Sequence, residues 1–301
     1  MSRNEANINW RDIKKQAIEF AKSIVENYHV GLLYGDYNKL MLTDLEGKDI
    51  YELCEVGTIY VIEFANDDIY FRSIDKGVTK LFEDKVFERI DYVSSIFRFN
   101  NVVYDSDGYG IMETESNKIV IDRIEMVRNG IECIETLFSM RYKGKEMLAC
   151  GVKYKDKTHG IWIVDVENKK LLEEIKRYDI ARIDRWQAFA WNVKGKQRIV
   201  SCVNEEYIDI DGEKIEKTEI KGGLIYSVVP VVDENGEEWF YYSGLDLGSI
   251  RRYNPRTREV EEILKGKISK WVYALKPVTK QEWDLIFKKY NGKDQDLLKV
   301  N

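Results

Sequence analysis

An apolar strand, a tight polar turn and a second apolar strand recur through this chain, and this hairpin constrains the fold more than any other feature. The two clearest copies are HGIWIVDVENKKLLEEI, from His159, and GSIRRYNPRTREVEEIL, from Gly248. Weaker copies begin at Asn38, Asp68, Tyr109 and Glu206. We anchor each copy on one apolar residue taken to lie in its third strand: Leu40, Ile69, Ile111, Ile161, Ile208 and Ile250. The steps are then 29, 42, 50, 47 and 42 residues. A unit made only of strands that returns at roughly 40–50 residues predicts an all-β propeller with four strands per blade. Six copies predict six blades. The short first step keeps five open, with the first two copies sharing one blade.

The inner strands follow from the same pattern. Residues 92–99, 135–142, 186–193 and 225–232 read as innermost strands, and 101–105, 147–154, 198–204 and 238–243 as the strands next to them. They alternate poorly, as strands covered on both faces do. The first repeat has only three strands, at 30–34, 39–45 and 50–54, whereas KWVYALKPV near the C-terminus is an innermost strand with no blade after it. The expectation is that this last strand completes the first blade and closes the ring, which removes two exposed sheet edges.

Three segments follow: an N-terminal helix over residues 1–29 packed on the propeller, the propeller over 30–278, and a C-terminal helix with a fraying tail over 279–301. The first helix rests on Trp10, Ile13, Ala17, Phe20, Ile24 and Tyr28, spaced three and four apart so that they share one face.

At Tyr253-Asn254-Pro255-Arg256-Thr257-Arg258-Glu259-Val260 the chain resembles the outer hairpin of kelch-like propellers, and IWIVDVENKKLLEEI is similar to that of YVTN-type repeats. The resemblance covers about 15 residues in each of two repeats. It implies the propeller superfamily and no specific family or activity, because propellers host many unrelated functions.

Composition narrows the function classes. A formal net charge of -6 argues against general nucleic-acid binding. No apolar run is long enough for a membrane helix, and none follows the charged N-terminus as in a secretion signal. Cys54, Cys133, Cys150 and Cys202 form no C-x-x-C pair and read as buried free thiols, so a cytoplasmic protein is expected. Scarce glutamine with abundant Lys, Glu, Ile and Tyr is a thermophile-like composition. There is no zinc-ligand cluster, phosphate loop or dinucleotide fingerprint, so no cofactor and no metal are expected.

Candidate site residues lie on two rings that propeller symmetry would assemble. One is acidic, in the loops between second and third strands: Asp36, Asp67, Asp107, Asp156, Glu205 and Asp246. The other is aromatic, where innermost strands begin: Tyr92, Trp186, Tyr226 and Trp271, with Arg185 beside Trp186 and with Arg182 and Arg89 in connecting loops. The aromatic ring at a channel mouth would bind a protein loop or a small polar ligand such as a sugar or peptide by stacking and apolar contact, and the acidic rim would attract a cation or a basic partner. His159, in a Thr-His-Gly loop, is a further candidate. The reading that follows is a non-enzymatic binding or scaffold propeller with a partner at the channel mouth. Two alternatives stay open: a hydrolase or lyase for a carbohydrate-like substrate with Asp107 and Asp246 as its acids, and a structural component of a larger assembly. Oligomeric state does not follow from the sequence.

Overall fold

A computed structural model describes residues 28–73, 76–89, 93–107, 109–178, 187–193, 196–204, 207–210, 213–216, 225–244, 248–269, 271–292 and 298–300. These residues form six antiparallel sheets, each with four strands in simple up-and-down order, one of them extended by a fifth. The innermost strands are Val272–Thr279 of blade 1, Ile59–Ala65 of blade 2, Val93–Phe99 of blade 3, Ile131–Tyr142 of blade 4, Gln187–Val193 of blade 5 and Ile225–Val232 of blade 6. Each packs against the next, and the last against the first, so the sheets close into a ring. The fold is a β-propeller.

The C-terminal strand closes the ring as the sequence pattern implies. Val272–Thr279 pairs antiparallel with His29–Asp36, which continues to Lys39–Asp44 and Ile50–Glu55. Beyond it, Thr279 caps the helix Lys280–Asn291 through a capping box with Glu282. That helix lies on blade 1, where a Cβ on Gly31 would fall 2.4 Å from the Trp283 ring. The tail, expected to fray, instead places Leu298–Val300 on the outer edge of blade 1, paired with Ile50–Glu52. The proposed N-terminal helix lies outside the described residues.

Burial explains the weak alternation of the strands. The buried apolar residues fall into six clusters, one at each junction between neighbouring blades. Leu32 and Leu33 are both fully buried, yet Leu32 packs toward blade 6 and Leu33 toward blade 2. A strand sandwiched in this way has no polar face to show.

One blade corrects the sequence reading. Ile69 lies in Asp68–Ser73, the second strand of blade 2 and not its third, which is Lys76–Lys80. The innermost strand, Ile59–Ala65, was not anticipated. It turns into the second strand at Asn66-Asp67, both with positive φ (50° and 60°), as a tight two-residue hairpin turn needs. Asn and Asp tolerate that conformation without glycine, so the turn carried no Gly signal. With Val78 as anchor, the distance from Leu40 to Ile111 divides nearly evenly, and the irregular first step disappears.

Candidate functional site

The innermost strands share a local irregularity. In blade 2, Ile59 pairs with Ser73 and Val61 with Arg72, which leaves Tyr60 unopposed. The same slip leaves Ser94 unopposed in blade 3, Glu135 in blade 4 and Tyr226 in blade 6. In blade 1, Tyr273 and Ala274 face the single residue Gly35. The extra residue of a β-bulge is freed from the ladder and its side chain re-aimed, a device common beside binding sites. Gly35 permits the tight approach of blade 2, since a Cβ there would lie 2.8 Å from that of Ile59.

These bulges sit at the end of the channel where the loops between second and third strands gather. Three tyrosines from consecutive blades touch there. Tyr226 and Tyr273 have ring centroids 4.7 Å apart, and Tyr273 and Tyr60 are 5.0 Å apart. Trp271 stands 6.1 Å from Tyr273 and 6.5 Å from Tyr37, whose ring is 42% exposed. All but Tyr37 are half-buried. The Arg72 guanidinium lies 5.3 Å from the Tyr60 centroid and donates to the Val93 carbonyl at 2.8 Å. An aromatic arc therefore spans blades 6, 1 and 2.

Beneath the arc lies a cavity of about 330 Å³, walled by residues 60–63, 94–97, 135–139, 189–190, 227–230 and 274–277 with His29. Every blade contributes to it. Buried hydroxyls stitch the wall: Ser95 accepts from the Leu137 N–H at 3.0 Å, and Ser227 accepts from the Leu275 N–H at 3.1 Å. Toward the far end Lys276 pairs with Glu63, whose carboxyl is fully buried. Burial raises the Glu63 pKa, and the Lys276 charge opposes that shift. His29 accepts the Val232 N–H on Nδ1 at 3.1 Å. Burial, and then the Lys276 charge, bring its pKa down to about 4, so it is neutral at pH 7. Near the mouth, Glu135 places Oε2 3.4 Å from Nε2 of the fully buried His159.

The sequence-derived candidates are distributed as follows. Tyr226 and Trp271 meet in the aromatic arc, Trp271 two residues ahead of the bulge position. Tyr92, Trp186, Arg185, Arg182, Glu205 and Asp246 lie outside the described residues. Asp107 ends the second strand of blade 3 and accepts the Tyr109 N–H at 2.9 Å. Asp36 binds Ser269, and Asp156 holds Thr158 and an ion pair with Arg177 at 2.6 Å. Asp67 is corrected: it sits in the turn between first and second strands, at the opposite end of the blade. Arg89 is buried in a two-point pair with Asp105, at 2.8 and 2.6 Å. Tyr60, Tyr273, Ser94 and Glu135 were missed, because a bulge leaves no mark on hydrophobic alternation.

Among the described residues Cys54, Cys133 and Cys150 are free thiols; burial pushes those of Cys54 and Cys133 up to about 12 and that of Cys150 higher still, which disfavours the reactive thiolate. Among the described residues no helix is long and apolar enough to cross a membrane, and no group of three or more His, Cys, Asp or Glu could hold a metal ion.

Comparison with known proteins supports the fold. No protein-family model matches the chain, and no curated protein matches it. Solved structures do. A chain of the nidogen/laminin complex aligns with a TM-score of 0.55 at 11% identity, over 81% of this chain and 97% of its own length. The WD40 β-propeller domain of Doa1 aligns with a TM-score of 0.50 at 13% identity, over 86% and 98%. At such identities the likeness is one of fold.

Proposed function

We propose that this chain is a non-enzymatic binding propeller that holds its partner, a protein or a small polar ligand, at the bulged mouth of its channel. The observation that carries this reading is the arc of Tyr226, Tyr273, Tyr60 and Trp271, continued by the exposed Tyr37. Tyrosine and tryptophan offer large contact area with few rotatable bonds, so little entropy is lost when a partner covers them. The placement of Tyr226, Tyr273 and Tyr60 on bulges of the innermost strands supports a preformed surface. Asp107, one of the two acids an enzymatic reading would use, is instead engaged with its own turn.

The test is affinity enrichment from the native cell with the wild-type chain and with Trp271→Ala and Tyr273→Ala, followed by direct titration of whatever is recovered. Loss of the partner by at least tenfold in both variants, with thermal unfolding little changed, is the expected result. Equal recovery by all three chains overturns the reading.

A further inference from the structure

The chain enters the fold at the far rim of the channel. Val232 ends the innermost strand of blade 6, and its N–H donates to Nδ1 of His29 at 3.1 Å. His29 pairs in turn with Thr279, the last residue of the innermost strand of blade 1. The chain before His29 is therefore attached beside the channel, between blades 6 and 1. One way out from that point is already taken. The helix Lys280–Asn291 starts from Thr279 and runs outward, away from the channel. At its end Tyr290 meets the Phe82 ring of blade 2 edge-on at 5.6 Å and donates to the carbonyl of Leu53, in the fourth strand of blade 1, at 2.9 Å. The rim itself is apolar and only half covered. Phe97 of blade 3, Ala190 of blade 5 and Val229 and Pro230 of blade 6 line the cavity toward this end and are half-buried. The charges beside them, Glu63 and Lys276, pair with each other. Residues 8–28 supply a matching surface, since Trp10, Ile13, Ala17, Phe20, Ile24 and Tyr28 share one helical face. Such a helix draws most of its stability from burying that face. At 1.5 Å per residue it would be about 30 Å long, more than a cavity of about 330 Å³ spans.

We propose that residues 8–28 form a helix that lies across the far end of the channel, its apolar stripe against Phe97, Ala190, Val229 and Pro230. The occupant is a segment of this same chain, and its attachment at His29 holds it beside the rim at high effective concentration. The channel is then a blind pocket entered from the aromatic mouth, and not a pore open at both ends. This fixes the side from which a ligand or partner arrives, whatever its chemistry.

The experiment uses the whole chain with Phe20 replaced by the photo-crosslinker benzoylphenylalanine, irradiated at low protein concentration and mapped by peptide mass spectrometry. Crosslinks within one molecule to peptides carrying residues 97–99, 139–142, 190–193 or 229–232 are expected. Crosslinks confined to the helix Lys280–Asn291 or to outer strands, crosslinks only between molecules, or none at all overturn the proposal. A second measurement reads access to the cavity. Ser139→Cys sets a thiol in the wall toward the far end, and a bulky polyethylene-glycol maleimide labels it, with the unsubstituted chain giving the background of the native thiols. Adding Phe20→Glu and Ile24→Glu breaks the apolar stripe and should speed labelling about tenfold or more, in chains that circular dichroism shows to be folded at the labelling temperature. An equal rate with and without the two glutamates overturns the proposal. Neither measurement involves the mouth, so the binding reading above stands or falls separately with Trp271→Ala and Tyr273→Ala.

Discussion

The two ends of the channel are built on opposite principles. At the mouth the innermost strands slip register and turn half-buried aromatic rings toward the opening. Toward the far end the blade 2 ladder runs without a slip, the blade 1 ladder slips once more between His29 and Gly31, and the polar groups satisfy one another: Glu63 with Lys276, and His29 with the Val232 backbone. Regular pairing gives rigidity, and the bulges spend some of that regularity on aim. The contrast teaches that one set of strands can serve as core at one end and as presentation surface at the other. Substitutions at the far end should therefore cost stability, and those at the mouth should cost binding.

The largest effect is expected at Lys276. Removing it leaves Glu63 buried without a counter-charge, a loss of about 3 kcal/mol, moderated as Glu63 takes up a proton. Lys276→Met should lower the urea midpoint accordingly. Adding Glu63→Leu should restore most of the loss, because a packed apolar pair replaces a buried ionic one at little cost. A double variant as unstable as the single one would show that the far end depends on the charges themselves.

His29 sharpens the same comparison through pH. Its folded pKa, about 4, lies below the ordinary 6.5. Between those values the unfolded chain binds a proton that the folded chain does not, so stability falls as pH falls through this window. The loss is on the order of 3 kcal/mol at most. Glu63 works the other way, since its raised folded pKa favours the acid side. The signal is therefore the difference between wild type and His29→Gln, measured by unfolding at pH 7 and near pH 4. Parallel pH profiles for the two chains would remove His29 from the account.

A smaller effect is expected where the two ends meet. Ser227→Ala leaves the buried Leu275 N–H without its acceptor and should cost about 1–2 kcal/mol. Ser95→Ala should match it, since Ser95 makes the equivalent bond to Leu137 between blades 3 and 4. A clear inequality between the two would show that the junctions are not equivalent.

Legibility in the sequence followed the same divide. The outer hairpins could be read because their turns carry Gly or Asn and their strands keep one partly polar face. Ring closure could be read because KWVYALKPV had no following blade to serve. Blade 2 was misread, because Asn66-Asp67 makes a tight turn without glycine. The mouth was only half legible. Choosing the first aromatic residue of each inner strand found Tyr226, yet it stopped at Trp271 two residues short of Tyr273. The one-residue slip that defines the bulge register is a property of pairing with the neighbouring strand, and no single strand records it.

The smallest stability effect, and the one that isolates the mouth, is expected at Tyr37. Its backbone has positive φ, 56°, and its ring is exposed beside Trp271. Alanine would confuse loss of the ring with backbone strain. Asparagine tolerates the left-handed conformation, so Tyr37→Asn removes the ring alone. Stability should then stay within about 0.5 kcal/mol of wild type. Affinity for the mouth's partner should fall about fivefold, as for a contact at the rim of a binding surface. Calorimetric unfolding and partner titration on the same preparation check both halves. If the substitution leaves affinity unchanged while Tyr273→Ala abolishes binding, the working surface ends at Trp271. The partner then enters the channel without covering the outer loops.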